Sequence, residues 1–410
     1  MKILWVKAGK LLPVDTGGKI RSYNILRKLA SRHEVTFLSY YNGRRDDTYD
    51  REIGELLPGA RVIHTATPDS TTFARVLLYL LRLPSPAPFA VSKFLSRESR
   101  RLLAQWLNED RFDVAVCDFL AATLNFPKRS ATPVALFQHN VESVLWRRQA
   151  DYEANPIKRL VFKLEAAKML RYERSAAGRF DHVIAVSESD RDLMMTMTDP
   201  SRISVAPTGV DLAQFRAAAG ESATEPLVMF VGSMDWEANI DGCAYFCREI
   251  WPQIKRATPG ALLRIVGRNP DRRVKGLASE DVEVTGSVPS VIEHLRQAAV
   301  VVVPLRIGGG TRLKIYEAMA MRKAVVSSTV GAEGLDVNHG RDILLADDPR
   351  TFADYVIEML RDPSKRMRIE TAAGEQAAKY DWSVVTDQFE DALARTRASG
   401  RASVAYGESQ

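Results

Sequence analysis

Short runs of β-branched and aliphatic residues alternate with segments of helical periodicity along this chain, and the alternation is played through twice. Residues 1–6, 34–39, 62–64, 114–117, 134–138 and 182–186 read as strands, and 21–31 carries apolar residues at helical spacing. The stretch 217–226 (Ala-Ala-Ala-Gly-Glu-Ser-Ala-Thr-Glu-Pro) has the composition of a connector. Beyond it, strands recur at 227–231, 261–266, 282–285, 300–304 and 324–328, with helices predicted over 241–257, 290–298 and 311–321. Such alternation argues for an α/β fold in which helices cover both faces of a parallel sheet. Ligands of such sheets bind outside the carboxyl ends of the strands. With 410 residues, two doubly wound domains are the economical reading.

Two segments stand apart from the alternation. Residues 69–107 are rich in Leu and Arg and broken by Pro84-Ser85-Pro86-Ala87-Pro88, and 144–179 read as a long helical region with a basic face, interrupted at Asn155-Pro156. Residues 362–398 form a helical C-terminal region, and 399–410 are expected to be a disordered tail.

Charge is uneven. Residues 1–216 hold 33 Lys and Arg against 24 Asp and Glu, and residues 217–410 hold 24 against 27, so a net +9 faces a net −3. A basic half suggests an acidic partner: nucleic acid, an anionic membrane surface or a phosphorylated substrate. Nucleic acid is set aside because interleaved aromatics and a recognition module are missing. The basic, leucine-rich segments 69–107 and 144–179 suit either peripheral contact with an anionic membrane or a solvated helix face. The longest apolar run, near 300–305, is far too short to span a bilayer. The first residues are interrupted by Lys7 and Lys10, which suits a buried strand better than a signal peptide. Three cysteines, Cys117, Cys243 and Cys247, lack metal spacing and fit packing roles in a reducing cytoplasm.

The chemistry concentrates in Gly308-Gly309-Gly310-Thr311-Arg312-Leu313-Lys314-Ile315-Tyr316-Glu317. Glycines let a backbone approach a ligand closely, and a helix start presents free N–H groups. Arg312 and Lys314 add full charges at that place, Arg as a bidentate partner for phosphate and Lys as a point charge. Glu317, one turn on, suits the hydroxyls of a sugar. The bland reading is a flexible glycine loop before a solvated helix face.

Together with Phe230-Val231-Gly232-Ser233-Met234, Ile265-Val266-Gly267-Arg268, Thr285-Gly286-Ser287-Val288 and Gly331-Ala332-Glu333-Gly334-Leu335, this segment resembles GT-B glycosyltransferases of the family 4 type, which are retaining and sugar-nucleotide-dependent. Thinner matches in the first half are Gly17-Gly18, His139-Asn140-Val141-Glu142, Val186-Ser187-Glu188 and Pro207-Thr208-Gly209-Val210-Asp211.

The resemblance implies two Rossmann-like domains facing a central cleft. The N-terminal domain, 1–208, would bind the acceptor, and 209–226 would link it to a nucleotide-sugar domain over 227–380. A C-terminal helix, 381–398, would pack back on the first domain. The resemblance makes Arg312 and Lys314 the stabilisers of the leaving diphosphate. It puts Gly17, Gly18, Gly232, Arg268, Val288, Gly308, Gly309, Gly310, Thr311 and Glu317 at the donor, Glu317 on its ribose. The family's E-x7-E pattern has its first glutamate where this chain has Gly309. The Arg and Lys that many members carry in the first strand–helix turn of the second domain are missing from Met234-Asp235-Trp236-Glu237-Ala238-Asn239.

His139, at the end of its strand, suits either a packed imidazole or one touching the donor sugar or acceptor. Glu142 suits either a cleft acid or a first-turn acid favoured by the helix dipole. Arg268 is otherwise a surface residue, and Gly17-Gly18 otherwise a turn.

The expected reaction moves a sugar from a nucleoside diphosphate to a carbohydrate or lipid-linked acceptor hydroxyl, in cell-surface polysaccharide or glycolipid synthesis. Cofactor and metal are both expected to be none, and the location cytoplasmic, peripheral on the inner face of the membrane. A sugar-nucleotide epimerase on the same architecture and a non-catalytic nucleotide-sugar-binding protein are the alternatives.

Overall fold

The computed structural model describes residues 1–65, 79, 82, 85–216, 225–307 and 313–407. The chain divides into two compact units: Met1–Pro207 with Val385–Gln410, and Thr208–Val384.

The first unit is built on strands β1 (Lys2–Ala8), β2 (Glu34–Asn42), β3 (Arg61–Thr65), β4 (Val114–Asp118), β5 (Val134–Phe137), β6 (His182–Ala185) and β7 (Ile203–Val205). They lie in the order β3-β2-β1-β4-β5-β6-β7, and every pair is parallel. Ile3, Leu4, Trp5 and Val6 are all fully buried, as are Val114 to Cys117. Such continuous apolar strands belong to a sheet covered on both faces. Helix α1 (Gly17–Ala30) follows β1 directly. The break at Asn155-Pro156 separates α2 (Glu142–Tyr152) from α3 (Pro156–Arg179). Asn155 accepts from the backbone N–H groups of Ile157 and Lys158, and Pro156 occupies the first helical turn, where its missing N–H is no loss.

The second unit repeats the plan with β8 (Leu227–Val231), β9 (Leu262–Val266), β10 (Val282–Gly286), β11 (Val300–Val303), β12 (Ala324–Ser327) and β13 (Leu344–Leu345), ordered β10-β9-β8-β11-β12-β13 and all parallel. Helix α4 (Glu237–Tyr245) follows β8, and α5 (Leu313–Ala320) follows β11. The helix predicted over 241–257 is not uniform. It widens to an i→i+5 turn at Phe246–Ile250 just before Pro252, which has no N–H to give the preceding turn. In each sheet the strand order reverses beside the first strand, between β1 and β4 and between β8 and β11. This is where ligands of doubly wound sheets bind.

Several expectations change. Strands β7 and β13, of three and two residues, are too short to show a pattern in the sequence. The part of the 209–226 connector that is described is not free chain. Val210 is buried in the second unit's core, and its N–H donates to the Tyr380 carbonyl at 2.8 Å. Gly209 is packed so closely that a Cβ would stand 2.7 Å from the Trp382 ring. Of the tail expected to be disordered over 399–410, the part as far as Gly407 is helical and continues the last helix, α6 (Trp382–Gly407), in which Gly400 is packed against Pro133; 408–410 lie outside the described residues. Most of the leucine- and arginine-rich segment, at 66–78, 80–81 and 83–84, lies outside the described residues.

The body of α6 closes the first unit's core. Phe389 stacks on Trp5 with ring centroids 5.5 Å apart and meets Phe137 edge-on at 4.8 Å. Arg32 and His33 hold the same helix from outside, through Asp387 and Glu390. Phe389→Ala removes a fully buried ring and is expected to cost about 3–5 kcal/mol, read as a lower urea midpoint for the first unit's unfolding.

Candidate functional site

In the second unit, the ends of β8 and β9 meet more tightly than any side chain allows. A Cβ on Gly267 would lie 1.6 Å from the Gly232 carbonyl oxygen, so the two turns require glycine there. The Gly232 N–H donates to Val266 and the Met234 N–H to Arg268, which ties the turns together. Around Gly232 a polar chain assembles. Arg268 Nε donates to Ser233 Oγ at 2.8 Å, Asn239 Nδ2 donates to the Ser233 carbonyl at 2.8 Å, and Lys314 Nζ donates to Asn239 Oδ1 at 2.9 Å. The Lys314 ammonium also stands 4.8 Å above the Phe230 ring. A Cβ on Gly232 would come within 2.7 Å of Asn239 and 3.0 Å of Lys314 Nζ. Glycine at 232 is thus the condition for the ammonium to reach the mouth of β8. The Arg and Lys that the family places in the β8 turn are absent, and Lys314 reaches that turn from α5.

Glu317 lies three residues after Lys314 on α5, on the same side of the helix. Its carboxylate has no hydrogen-bond or ion-pair partner among the described residues. Burial pushes its pKa up to about 7, against the opposing pull of Lys314. A carboxylate held in its neutral range by burial beside an ammonium suits a site that takes hydroxyl donors. Gly331 opens the turn after β12, where a Cβ would stand 2.4 Å from Ser327 Oγ and 2.5 Å from the Val303 carbonyl. Val288 differs from these residues. It follows β10 and packs, partly buried, against the core. Gly308, Gly309, Gly310, Thr311 and Arg312 lie outside the described residues.

The first unit holds a second constellation at its own switch point. Register pairs Lys7 of β1 with Asp118 of β4. The Lys7 ammonium donates to Asp118 Oδ2 at 2.9 Å and to Ser22 Oγ of α1 at 3.2 Å, and Trp5 Nε1 donates to the same Asp118 oxygen at 3.0 Å. The other oxygen, Oδ1, faces His139 Nε2 at 2.8 Å. Arg21 of α1 reaches His139 Nδ1 at 2.9 Å. Lys7, Arg21, Asp118 and His139 are all buried, none more than 3% exposed. Burial alone would raise the Asp118 carboxyl, but the Lys7 ammonium and the bond from His139 outweigh it and hold it well below the usual carboxylate range. Burial pulls His139 down to about 3 despite Asp118, and pulls Arg21 down to about 10 against the charges of Asp190 and Asp118.

The His139 ring lies parallel to Phe119, with centroids 3.8 Å apart and planes 8° from parallel. Phe119 takes that place at a φ of +76°, and a Cβ on Gly18 would come within 2.5 Å of its ring. The Gly17-Gly18 turn, Phe119 and His139 are therefore one packed group. The expected contact between His139 and a sugar meets a ring whose two nitrogens are already engaged. Glu142 is half-buried at the start of α2, and burial together with the neighbouring Glu173 pushes it up to about 7. Glu173 itself accepts from the Glu142 and Ser143 N–H groups, holding that helix start.

Lys7, Asp118 and Asn239 carry none of the glycine signals that mark the other residues. Lys7 and Asp118 leave the trace of a charge near the end of an otherwise apolar strand, as in Trp5-Val6-Lys7 and Val116-Cys117-Asp118, and Asn239, inside α4, leaves none. Among the described residues no group of His, Cys, Asp or Glu has the arrangement of a metal site.

Comparison with known proteins gives this geometry its context. The family model for glycosyltransferase family 4 matches residues 16–214, and that for glycosyl transferases group 1 matches 225–362. A phosphatidyl-myo-inositol mannosyltransferase of Mycobacterium leprae is 24% identical over 80% of this chain and 86% of its own length. An uncharacterized 44.6 kDa protein of the Klebsiella pneumoniae cps region is 22% identical over 88% and 92%. Among solved structures, the sucrose-phosphate synthase of Thermosynechococcus elongatus superposes with a TM-score of 0.71 at 17% identity, over 97% of this chain and all of that one. Anabaena HepE in complex with UDP and glucose gives 0.64 at 14%, over 96% and 99%. The chain belongs to the GT-B glycosyltransferases of the family 4 type.

Proposed function

We propose that this glycosyltransferase takes its sugar from a nucleoside diphosphate sugar and transfers it, with retention of configuration, to an acceptor hydroxyl in cell-surface polysaccharide or glycolipid synthesis. The observation that carries the donor side is the placement of the Lys314 ammonium over the glycine turn of β8, with the carboxylate of Glu317 one turn on. Lys314 and Arg312 stabilise the charge that grows on the departing diphosphate, assisted by backbone donors of 308–311, and Glu317 accepts from the ribose. Preorganised donors of this kind contribute roughly 3–4 kcal/mol each to transition-state stabilisation. Arg268 and Gly232 line the same turn. The leaving phosphate takes the acceptor's proton, and the two cations serve where other enzymes use a divalent metal.

HepE structures with UDP and with UDP-glucose support a nucleotide sugar as donor. The acceptor side draws on relatives named for phosphatidyl-myo-inositol and on WaaG, described as involved in lipopolysaccharide biosynthesis. A lipid-linked acceptor calls for a membrane-facing surface, and α3 offers one. Ile157, Leu160 and Leu164 are exposed at 75%, 60% and 46% on one helix face, beside exposed Lys158, Arg159 and Lys163. No described helix is long and apolar enough to cross a membrane, so the contact would be peripheral, at an anionic bilayer.

A panel of sugar nucleotides screened by thermal shift identifies the donor, because bound ligand stabilises the folded chain by mass action. Lys314→Ala and Arg312→Ala should each lower turnover of that donor about a hundredfold, and near-native turnover in both would end the assignment. Conversion of the donor into a second sugar nucleotide without acceptor would favour an epimerase instead.

Glu317 supplies a pH signature. Its folded pKa, raised to about 7 by burial, lies above the usual carboxylate value. Its contribution to stability is therefore greatest at acid pH and is lost as pH rises through about 7. Glu317→Gln should raise the Tm relative to wild type more at pH 8 than at pH 5. The ionised carboxylate is the better ribose acceptor, so calorimetric affinity for UDP should increase from pH 6 to pH 8 in wild type and stay flat in Glu317→Gln. In flotation assays, protein should rise with phosphatidylglycerol vesicles and not with phosphatidylcholine alone, and Leu160→Glu with Leu164→Glu should abolish the difference.

A further inference from the structure

The buried constellation of the first unit has a direction built into it. Arginine only donates, so the 2.9 Å contact from Arg21 Nη1 makes His139 Nδ1 an acceptor. The ring's one remaining proton then sits on Nε2, where Asp118 Oδ1 accepts it at 2.8 Å. Asp118 can do this because its other oxygen is already held by Lys7 Nζ and Trp5 Nε1 at 2.9 and 3.0 Å. Each partner fixes the next, from β1 through β4 and the loop after β5 to α1. The stack of Phe119 on one face of the ring and the tilted Phe137 at 4.2 Å leave the imidazole no room to turn. What the chain holds in place is the start of α1. Arg21 lies in its second turn, Ser22 ties Lys7 to the Gly18 carbonyl at 3.0 Å, and Gly18 rests against Phe119 and His139.

We propose that Asp118 is a positioning residue, which with Lys7 fixes His139 as the neutral, Nε2-protonated tautomer so that Nδ1 holds Arg21 and the Gly17-Gly18 turn in one arrangement. His139 then acts through Arg21 and α1 rather than on the sugar. The tautomer stands on the geometry alone; the consequence for turnover rests on the glycosyl-transfer reading given above.

Wild-type protein labelled with 15N in the imidazoles tests the first part directly, with His139 identified among the six histidines by its loss in His139→Asn. A neutral ring protonated at Nε2 at pH 7 is the expected result; protonation at Nδ1, or at both nitrogens, overturns the proposal. Asp118→Asn tests the second part. Its amide oxygen stays with Lys7 and Trp5, its amide nitrogen faces the ring, and the tautomer should invert, setting an Nδ1 proton against Arg21.

Turnover of the donor identified by thermal shift should then fall about a hundredfold with little change in KM, the scale expected for misplacement of a site by about 1 Å. An inverted tautomer with native turnover would sink the positioning role. His139→Asn keeps an acceptor oxygen near the place of Nδ1 and should retain turnover within about tenfold of wild type, whereas His139→Leu should fall as far as Asp118→Asn. Equal losses in His139→Asn and His139→Leu would mean that the imidazole itself takes part in the chemistry, which also overturns the proposal. This pair decides the matter if Asp118→Asn does not fold. If no sugar nucleotide is turned over, the glycosyl-transfer reading fails while the tautomer measurement still stands or falls by itself.

Discussion

The ion pair between Lys7 and Asp118 sits where the first sheet reverses its strand order, and much of that unit is arranged around it. Two opposite charges without solvent are unfavourable unless their remaining hydrogen-bonding positions are filled. Here Trp5, Ser22 and His139 fill them. Each of those residues is held in turn by something larger: Trp5 by Phe389 of the last helix, Ser22 by the first turn of α1, His139 by Phe119 and Arg21. Substituting either member of the pair leaves its partner charged and buried, which is the costly outcome for such an arrangement.

The second unit solves a related problem with less charge. Its switch point has no buried ion pair of this kind among the groups described around Gly232. A single ammonium is steadied by an amide oxygen and an aromatic face, both weaker partners than a carboxylate. Glu317 stands one turn further along the same helix. The two units share a topology and furnish it differently, one with a buried ion pair and one with a lysine held beside a glycine turn.

Glycines made much of the second unit legible in advance. Gly232 and Gly267 are spaced by the strands they end, and the contact of 1.6 Å that a Cβ would create explains why no other residue fits. Strand positions were readable for the same reason, since fully buried parallel strands are nearly continuous apolar runs. Strands β7 and β13 escaped because so few residues carry no period. Lys7 and Asp118 escaped because their meaning lies in register: they are 111 positions apart and become neighbours only when β4 lies beside β1. His139 was visible as a candidate, but nothing in the sequence tells that both ring nitrogens already have partners. The tail reads as unstructured by its terminal position, and only the burial of Gly400 against Pro133 shows what it is packed on.

The path of the last helix has a consequence for how the chain matures. The first unit is completed by residues on both sides of the second in the sequence, and Arg32 meets Asp387 across a sequence separation of 355 residues. On the ribosome, β1 to β7 emerge long before Phe389 does, so Trp5 and Phe137 lack the ring that covers them until the second unit has been made. The second unit is contiguous and needs no such wait. The usual order, in which amino-terminal domains fold first during synthesis, is therefore reversed for final closure. The first unit is sealed only after the second has been made, and a nascent chain stalled before Phe389 would expose the aromatic core of the first unit to chaperones and proteases.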